Sequence, residues 1–282
     1  MESSFCRLLC ISDVKTFVDC EKLIDEIKPN YILFLGDILR QGCQRFPITP
    51  KQKKEIEKEL QGYTFEQDFN IPKIVKKHGD FIIQAYYDSC EAIKILFQNI
   101  FIKFVKHCLD KKEIKRIVFI RGNNDADINY NDLVQKVLGD NEKIITTQTF
   151  KLGNYKCSSL DYDQIHFKKK LKKVMPLIEE SSIIFTHAST LDIKDFLNRT
   201  KRRPNMIITG HSGTEWLKIQ DTFIIRIDNF PYSFSLIDIS NGLKVYFGSY
   251  SSFSGKLKTR KILEQLNETI PWKLEYQPWK EE

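Results

Sequence analysis

Five short apolar runs of the chain each end abruptly on polar residues, and this repeated pattern constrains the fold more than any other feature. The runs and the polar residues that end them are RLLCISD (7–13), YILFLGD (31–37), RIVFIRGNND (116–125), SIIFTH (182–187) and NMIITGH (205–211). Such runs, rich in β-branched and aromatic residues, predict strands that are buried on both faces. Because the polar residues that end them cannot pack in a core, we expect them to form a site.

The segment between the first two runs predicts how the strands are arranged. In TFVDCEKLIDEIKPN (16–30) the apolar residues recur at helical spacing, and Pro29 ends the helix. A strand, a helix and a second strand form a β-α-β unit, whose two strands are parallel. Ligands of open α/β sheets bind beyond the carboxyl ends of such strands. All five polar clusters are predicted to lie at such ends.

The rest of the chain is predicted to belong to the same single domain, 1–282. Residues 41–115 indicate a mostly helical insertion, and 161–180 a lysine-rich helix. From Thr222 the pattern changes to short strands that include a hairpin. Residues 255–282 indicate a C-terminal extension with one short helix.

Composition narrows the class of protein. The net charge of +7 permits a phosphate-bearing partner without requiring one. Seven cysteines without a CxxC pair indicate a reducing compartment, and we expect a cytoplasmic protein with no signal peptide and no membrane association. The basic runs at 168–173 and 256–261 raise nucleic acid as a partner. This is not favoured, because aromatic residues are not interleaved with them as a stacking surface requires.

The strand-end residues are a mixed set of oxygen and nitrogen ligands: Asp13, Asp37, Asn123, Asp125, His187 and His211. Carboxylate, amide and imidazole groups suit manganese, iron, zinc or nickel better than metals that prefer thiolates. Any one of these clusters alone would indicate only a turn. Together, and in this order, they predict a metal site.

The same residues resemble the motifs of the calcineurin-like metallophosphoesterase superfamily: Asp, Gly-Asp, Gly-Asn-x-Asp, His and Gly-His, in that order. The resemblance covers Asp13 to Gly213 and extends to the C-terminal strands. It implies an α/β fold, a four-layer β-sandwich of mixed sheets flanked by helices, with two metals at the strand ends. The activity implied is hydrolysis of phosphomonoesters, phosphodiesters or pyrophosphates by a metal-bound water.

The sequence departs from the family at the first of these two metals. The family motif Asp-x-His is Asp13-Val14-Lys15 here, and Gly-His-x-His ends on Gly213. By resemblance, the second metal site is intact and consists of Asp37, Asn123, His187 and His211. The first keeps Asp13 and its share of Asp37. We therefore expect one divalent ion per chain, with manganese preferred and iron, zinc or nickel as alternatives.

Three further residues are assigned catalytic roles on the same basis. Lys15 can place a positive charge beside Asp13 where the first metal is lost, although a solvated lysine is the alternative. Asn124 stands where the family commonly has a histidine that protonates the leaving group, which an amide cannot do. Asp125 is expected to fix its loop, and a simple turn role is equally open.

Arg121 and Arg40 flank the strand ends and are predicted to bind substrate phosphate, with an ordinary surface position as the alternative for each. The sequence therefore favours a metal-dependent phosphoesterase, a phosphodiesterase or a nucleotide or pyrophosphate hydrolase. The alternative is a catalytically inactive scaffold of the same fold that binds a protein partner.

Overall fold

A computed structural model describes the chain in segments: 7–14, 17–38, 50–59, 91–123, 125, 129–145, 147–211, 213, 215–227, 230, 233–239, 243–251, 256–265 and 273–274. The strands, in chain order, are β1 (Arg7–Ile11), β2 (Tyr31–Leu35), β3 (Arg116–Ile120), β4 (Ile144–Ile145), β5 (Thr149–Leu152), β6 (Tyr155–Leu160), β7 (Ile183–Thr186), β8 (Met206–Thr209), β9 (Glu215–Ile219), β10 (Thr222–Arg226), β11 (Phe234–Asp238), β12 (Leu243–Ser251), β13 (Lys256–Gln265) and β14 (Lys273–Leu274).

The helices of the described segments are α1 (Phe17–Ile27), α2 (Pro50–Glu59), α3 (Glu91–Asp110), α4 (Tyr130–Leu138), α5 (Tyr162–His166), α6 (Lys168–Glu180) and α7 (Thr190–Leu197).

The strands of these segments form two mixed sheets. The first has eight strands in the order β14-β13-β12-β11-β1-β2-β3-β4. In it β1, β2 and β3 are parallel neighbours, and β11 joins β1 in antiparallel orientation. The second has six strands in the order β5-β6-β7-β8-β10-β9, with β6, β7, β8 and β10 parallel. All five predicted strand ends therefore terminate parallel strands.

Three apolar clusters separate four layers. The alternation of side chains along each strand divides the residues of β1 between two of them, since Leu8 and Leu9 point to opposite faces. One cluster packs the first sheet against α1, α3 and α4. The second lies between the two sheets, and the third packs the second sheet against α5, α6 and α7. This arrangement confirms the predicted four-layer α/β sandwich of mixed sheets.

The predicted helical insertion lies between β2 and β3. Its described parts, α2 and α3, are helical as expected, and α3 buries Phe101, Phe104 and Val105 against the first sheet. Residues 39–49 and 60–90 lie outside the described residues, and so does the N-terminal part of the long helix predicted over 79–110.

The described part of the C-terminal tail is extended, in contrast to the short helix predicted there. Residues 256–265 form β13, which pairs with the whole length of β12. The tail thus continues the first sheet, and its other residues lie outside the described ones.

The helix predicted over 161–180 is divided into two, because Phe167 has extended backbone angles and separates α5 from α6.

The described cysteines are Cys10, Cys20, Cys108 and Cys157, and all four are buried free thiols. In the described segments, no helix combines the length and the apolar character needed to cross a membrane.

Candidate metal centre

The ends of β1, β2, β3, β7 and β8 bring five of the predicted site residues to one edge of the sandwich: Asp13, Asp37, Asn123, His187 and His211. Three of them have the left-handed backbone conformation that side-chain-bearing residues seldom adopt. The φ angles are 50° at Asp13, 51° at Asp37 and 78° at His211. Such angles cost free energy and are concentrated at functional sites, where surrounding contacts maintain them.

One hydrogen bond sets the chemistry of His187. Its Nδ1 lies 2.6 Å from the carbonyl oxygen of Leu35, which can only accept. Nδ1 therefore carries the proton, and in the neutral ring Nε2 presents a lone pair. The ring is fully buried, so this orientation is fixed.

The lone pair of His187 points toward other acceptor atoms. Its Nε2 lies 3.1 Å from Oδ1 of Asn123 and 3.4 Å from Oδ2 of Asp37. Nδ1 of His211 completes the cluster, at 2.6 Å from Asn123 Oδ1 and 3.2 Å from His187 Nε2. Asp13 lies nearby, since ligand atoms of Asp13, Asp37 and His187 all fall within 4.8 Å of one another.

This donor set fits a divalent cation. Imidazole nitrogens, an amide oxygen and a carboxylate oxygen converge on one small region. Without an ion, a protonated ring nitrogen can donate to these oxygens; once deprotonated, the same nitrogens can bind an ion. Mixed nitrogen and oxygen ligands suit manganese, iron or zinc. The bond from His187 to a backbone carbonyl is the support that a metal-binding histidine usually has.

The pKa values of the two histidines move in opposite directions. Burial alone lowers the pKa of His187, but the hydrogen bond and charge of Asp37, together with Asp13, outweigh it and raise the pKa. Burial, followed by the nearby charge of His187, lowers the pKa of His211.

Asp125 is buried behind the cluster and joins two loops of the site. Its carboxylate accepts hydrogen bonds from the amides of Asp37 (2.6 Å), Ile38 (3.1 Å) and Gly122 (2.8 Å), and from the hydroxyl of Tyr130. Burial, and next the charge of Asp37, raise the pKa of Asp125 to about 6. The bonded groups are main-chain amides and a phenol, so Asp125 holds the positions of Asp37 and Gly122.

Arg121 is tied to Asp161 at the end of β6. Its amide donates to Asp161 Oδ1 (2.8 Å), and Nε and Nη2 each lie 2.9 Å from Oδ2. This fork links the first sheet to the second. Three other predicted site residues, Lys15, Arg40 and Asn124, lie outside the described residues.

Tyr162 lies against the cluster, although the sequence did not single it out. Its ring is 6.0 Å from that of His211 and 6.5 Å from that of His187. Tyr162 follows Asp161 directly after β6, another parallel strand that ends on polar residues. The run before it, YKCSSL, contains two serines and a lysine, so the apolar pattern that identified the other strands is weaker here.

No family model matches the chain, and no curated protein matches it in sequence. Solved structures with a similar arrangement include GAP50, described as the anchor in the inner membrane complex of Plasmodium. That match has 13% identity and a TM-score of 0.47, and covers 94% of this chain and 90% of that one.

Two further matches carry names of enzymes. An archaeal phosphodiesterase matches with 9% identity and a TM-score of 0.37, over 91% of this chain and 99% of that one. The sulfate thiohydrolase SoxB of Thermus thermophilus matches with 10% identity and a TM-score of 0.35, over 91% of this chain and 43% of that one.

The fold agrees with what the resemblance noted in the sequence implies. Helices cover the outer faces of two mixed sheets, and Asp13, Asp37, Asn123, His187 and His211 gather where their parallel strands end. This is the arrangement that the resemblance implies.

Proposed function

We propose that this chain is a metal-dependent phosphoesterase with one divalent ion, acting on phosphodiesters, nucleotides or pyrophosphates. The proposal rests on the potential ligand atoms that lie close together at the strand ends. His187 Nε2 lies 3.1 Å from Asn123 Oδ1 and 3.4 Å from Asp37 Oδ2, with Nδ1 of His211 beside them. These four residues are the proposed ligands, and manganese is the preferred ion.

A divalent ion bound by these ligands polarises a phosphoryl oxygen and lowers the pKa of a water molecule. The protein contributes position and charge. The Leu35 carbonyl holds His187 in the tautomer that leaves Nε2 available. Ser12 donates to Oδ2 of Asp13 (2.6 Å), and the Asp13 amide donates to the Gly36 carbonyl (3.0 Å). Asp13 is thereby directed toward the site, where its carboxylate can orient the attacking water.

The charges of the site indicate that substrate binding needs a further cation. Asp13 and Asp37 together carry two negative charges, which one divalent ion neutralises, so nothing remains to balance a phosphate. Lys15 and Arg40 are the proposed sources of this charge. Arg121, also predicted to bind phosphate, is engaged with Asp161. Replacing Lys15 with Met should reduce turnover sharply, and an unchanged rate would remove Lys15 from the mechanism.

Asn124 restricts the leaving group. An amide does not titrate in the range where a general acid is useful, and general acid catalysis typically contributes about 10²–10⁴-fold. Alcohols or phosphates of low pKa leave without this help. We therefore favour nucleotide and pyrophosphate substrates over simple alkyl esters.

The first experiment measures metal bound per chain after loading with manganese and removal of the excess. We expect about one ion per chain, lost in Asp37→Asn because a ligand of the ion loses its negative charge. Asp195→Asn is the matched control, since Asp195 lies on α7 and pairs with Arg199 at the surface. Retention of the ion in Asp37→Asn would remove Asp37 from the ligand set.

The second experiment measures hydrolysis of bis(p-nitrophenyl) phosphate by the loaded protein. Turnover that depends on manganese and is lost in Asp37→Asn would support the phosphoesterase. A protein that binds the ion but turns over neither this diester nor a panel of nucleotides and pyrophosphates would favour the alternative, an inactive scaffold. A protein that binds no ion would also favour the scaffold.

A further inference from the structure

A polar cavity of about 90 Å³ lies beside the candidate metal centre. It opens between the carboxyl ends of β3 and β6 and the start of α4. The residues on which the inference depends are Arg121, Gln148, Ser159, Asp161 and Gln164. A single water needs about 10–15 Å³ measured in this way, so the cavity has room for a group the size of a sugar ring.

The cavity adjoins the centre at two points of the chain. Arg121 lines it, and the candidate ligand Asn123 follows two residues later. Asp161 lines it as well, and the next residue, Tyr162, has its ring 6.0 Å from that of His211. A phosphate ester with its phosphorus at the centre can therefore place its organic group in this cavity.

The lining favours a neutral group that forms hydrogen bonds. Arg121 and Asp161 cancel each other's charge through their fork of hydrogen bonds. The rest of the wall is uncharged: it is formed mainly by amides and hydroxyls, with Phe119 and Ile145 as its apolar part. A second phosphate would meet no unbalanced positive charge from this pair, and an acyl chain would leave buried amides without partners, which is unfavourable.

Three polar side chains of the wall can form hydrogen bonds with a ligand. Gln164 accepts from the Asp161 amide through Oε1 (2.9 Å), which leaves its two N–H groups as donors. The side chains of Gln148 and Ser159 line the same wall, and each can donate and accept. A sugar hydroxyl, which both donates and accepts, matches these groups.

We propose that the cavity binds the neutral, hydroxyl-bearing group of a phosphate ester, a sugar ring or a group of similar size and polarity. The assignment of this group to the substrate rests on the proposed phosphoesterase function. Its binding to the cavity requires no turnover, so binding and hydrolysis can be tested separately.

The test compares the affinities of three probes for the full chain by calorimetry: ribose 5-phosphate, methyl phosphate and hexyl phosphate. Ribose 5-phosphate should bind about tenfold more tightly than methyl phosphate, as one or two additional hydrogen bonds provide. Hexyl phosphate should gain nothing over methyl phosphate. Equal affinities for the sugar and methyl esters, or tighter binding of the hexyl ester, would overturn the proposal.

Variants locate the effect in the cavity. Gln148→Leu and, separately, Ser159→Ala should remove or weaken the preference for ribose 5-phosphate while leaving the affinity for methyl phosphate unchanged. Gln135→Leu is the control, since Gln135 is exposed and bonds to Asp140. Thermal unfolding of each variant shows whether it is folded.

The outcomes separate this proposal from the proposed function. An inert protein that prefers ribose 5-phosphate, with the preference lost in Gln148→Leu, would keep the cavity assignment and discard the hydrolase. An active, metal-dependent hydrolase with no such preference would keep the proposed function and discard the cavity assignment. Adenosine 5′-phosphate and glycerol 3-phosphate, measured in the same way, distinguish a nucleoside from a small polyol as the source of the hydroxyls.

Discussion

The Nδ1–H of His187 donates to the carbonyl oxygen of Leu35 across 2.6 Å, and this bond joins the two sheets at their common edge. Leu35 ends β2 in the first sheet, and His187 follows β7 in the second. The bond leaves Nε2 as the ring nitrogen that faces Asp37 and Asn123, where it can bind an ion when it is deprotonated. One contact between the sheets therefore orients a candidate ligand.

The first prediction concerns His187 itself. His187→Ala should weaken manganese binding by about 100-fold or more, because it removes an oriented nitrogen ligand and not only its support. His166→Ala is the matched control, since His166 is partly exposed and bonds to Asp192. Calorimetric titration of the chelated proteins measures both affinities. An equal loss in the two variants would mean that His187 has no special role.

A second prediction concerns Asp125, which accepts hydrogen bonds from three amides and the Tyr130 hydroxyl. Asp125→Asn should lower the free energy of unfolding by about 2–4 kcal/mol, because an amide group replaces one acceptor oxygen with a donor that faces other donors. Urea unfolding after chelation measures the change without the metal. Asp195→Asn, in an exposed ion pair on α7, should change it by less than about 1 kcal/mol.

If Asp125 positions Asp37, the Asp125→Asn protein should also bind manganese more weakly while it is still folded. A variant that loses stability but keeps full affinity would restrict Asp125 to a structural role. A variant that keeps both its stability and its affinity for manganese would show that Asp125 neither stabilises the fold nor positions Asp37.

The five strand ends could be predicted from the sequence because their signal is local. A run such as YILFL must be buried, and the Gly36-Asp37 that follows it cannot be. The parallel order follows from the helix between β1 and β2, and parallel strands that end together place Asp13 beside Asp37. Fold class and candidate ligands therefore required no contact information.

Other relationships depend on how the sheets face each other, which no local pattern contains. The Arg121–Asp161 ion pair joins residues 40 positions apart on different sheets. Tyr162 reaches the histidines from the second sheet. The extended conformation of 256–265 depends on the pairing of β13 with β12.

A third prediction uses two glycines to separate backbone strain from close contact. Gly36 has a φ of 93°, and a methyl group there would lie 2.6 Å from the Gly122 nitrogen and 2.8 Å from Cγ of His187. Gly139 has a φ of 73°, with nothing within 4 Å of such a methyl group. With a ψ of −176°, Gly139 lies in a region that essentially only glycine adopts, so Gly139→Ala should cost only this strain, about 1–3 kcal/mol. Gly36→Ala should cost about 3–5 kcal/mol, because overpacking is added.

Urea unfolding of the two glycine variants measures this difference. Gly36→Ala should also displace His187 and so weaken manganese binding, whereas Gly139→Ala should not. Equal losses of stability would indicate that the packing between Gly36 and Gly122 can relax, and that Gly36 is required only for its backbone angle.

The last prediction concerns Gly213, where the resembling family has a histidine ligand. Gly213 has a φ of 82°, and a Cβ atom there would lie 3.1 Å from Nη2 of Arg226. A histidine at this position would be strained, and the end of the flexible Arg226 side chain would have to move slightly to admit it. Gly213→His should therefore lower the free energy of unfolding by the strain, about 1–2 kcal/mol. It should bind no second manganese ion, because the other histidine of the family's first site is Lys15 here. Gly153→His is the control, since Gly153 also has a positive φ, of 58°, and meets only Ile239 Cδ1 at an ordinary 3.5 Å. Bound metal per chain and urea unfolding are measured on both. A second ion retained by Gly213→His would show that one substitution restores the first site. It would also show that the Arg226 side chain moves aside for the introduced histidine.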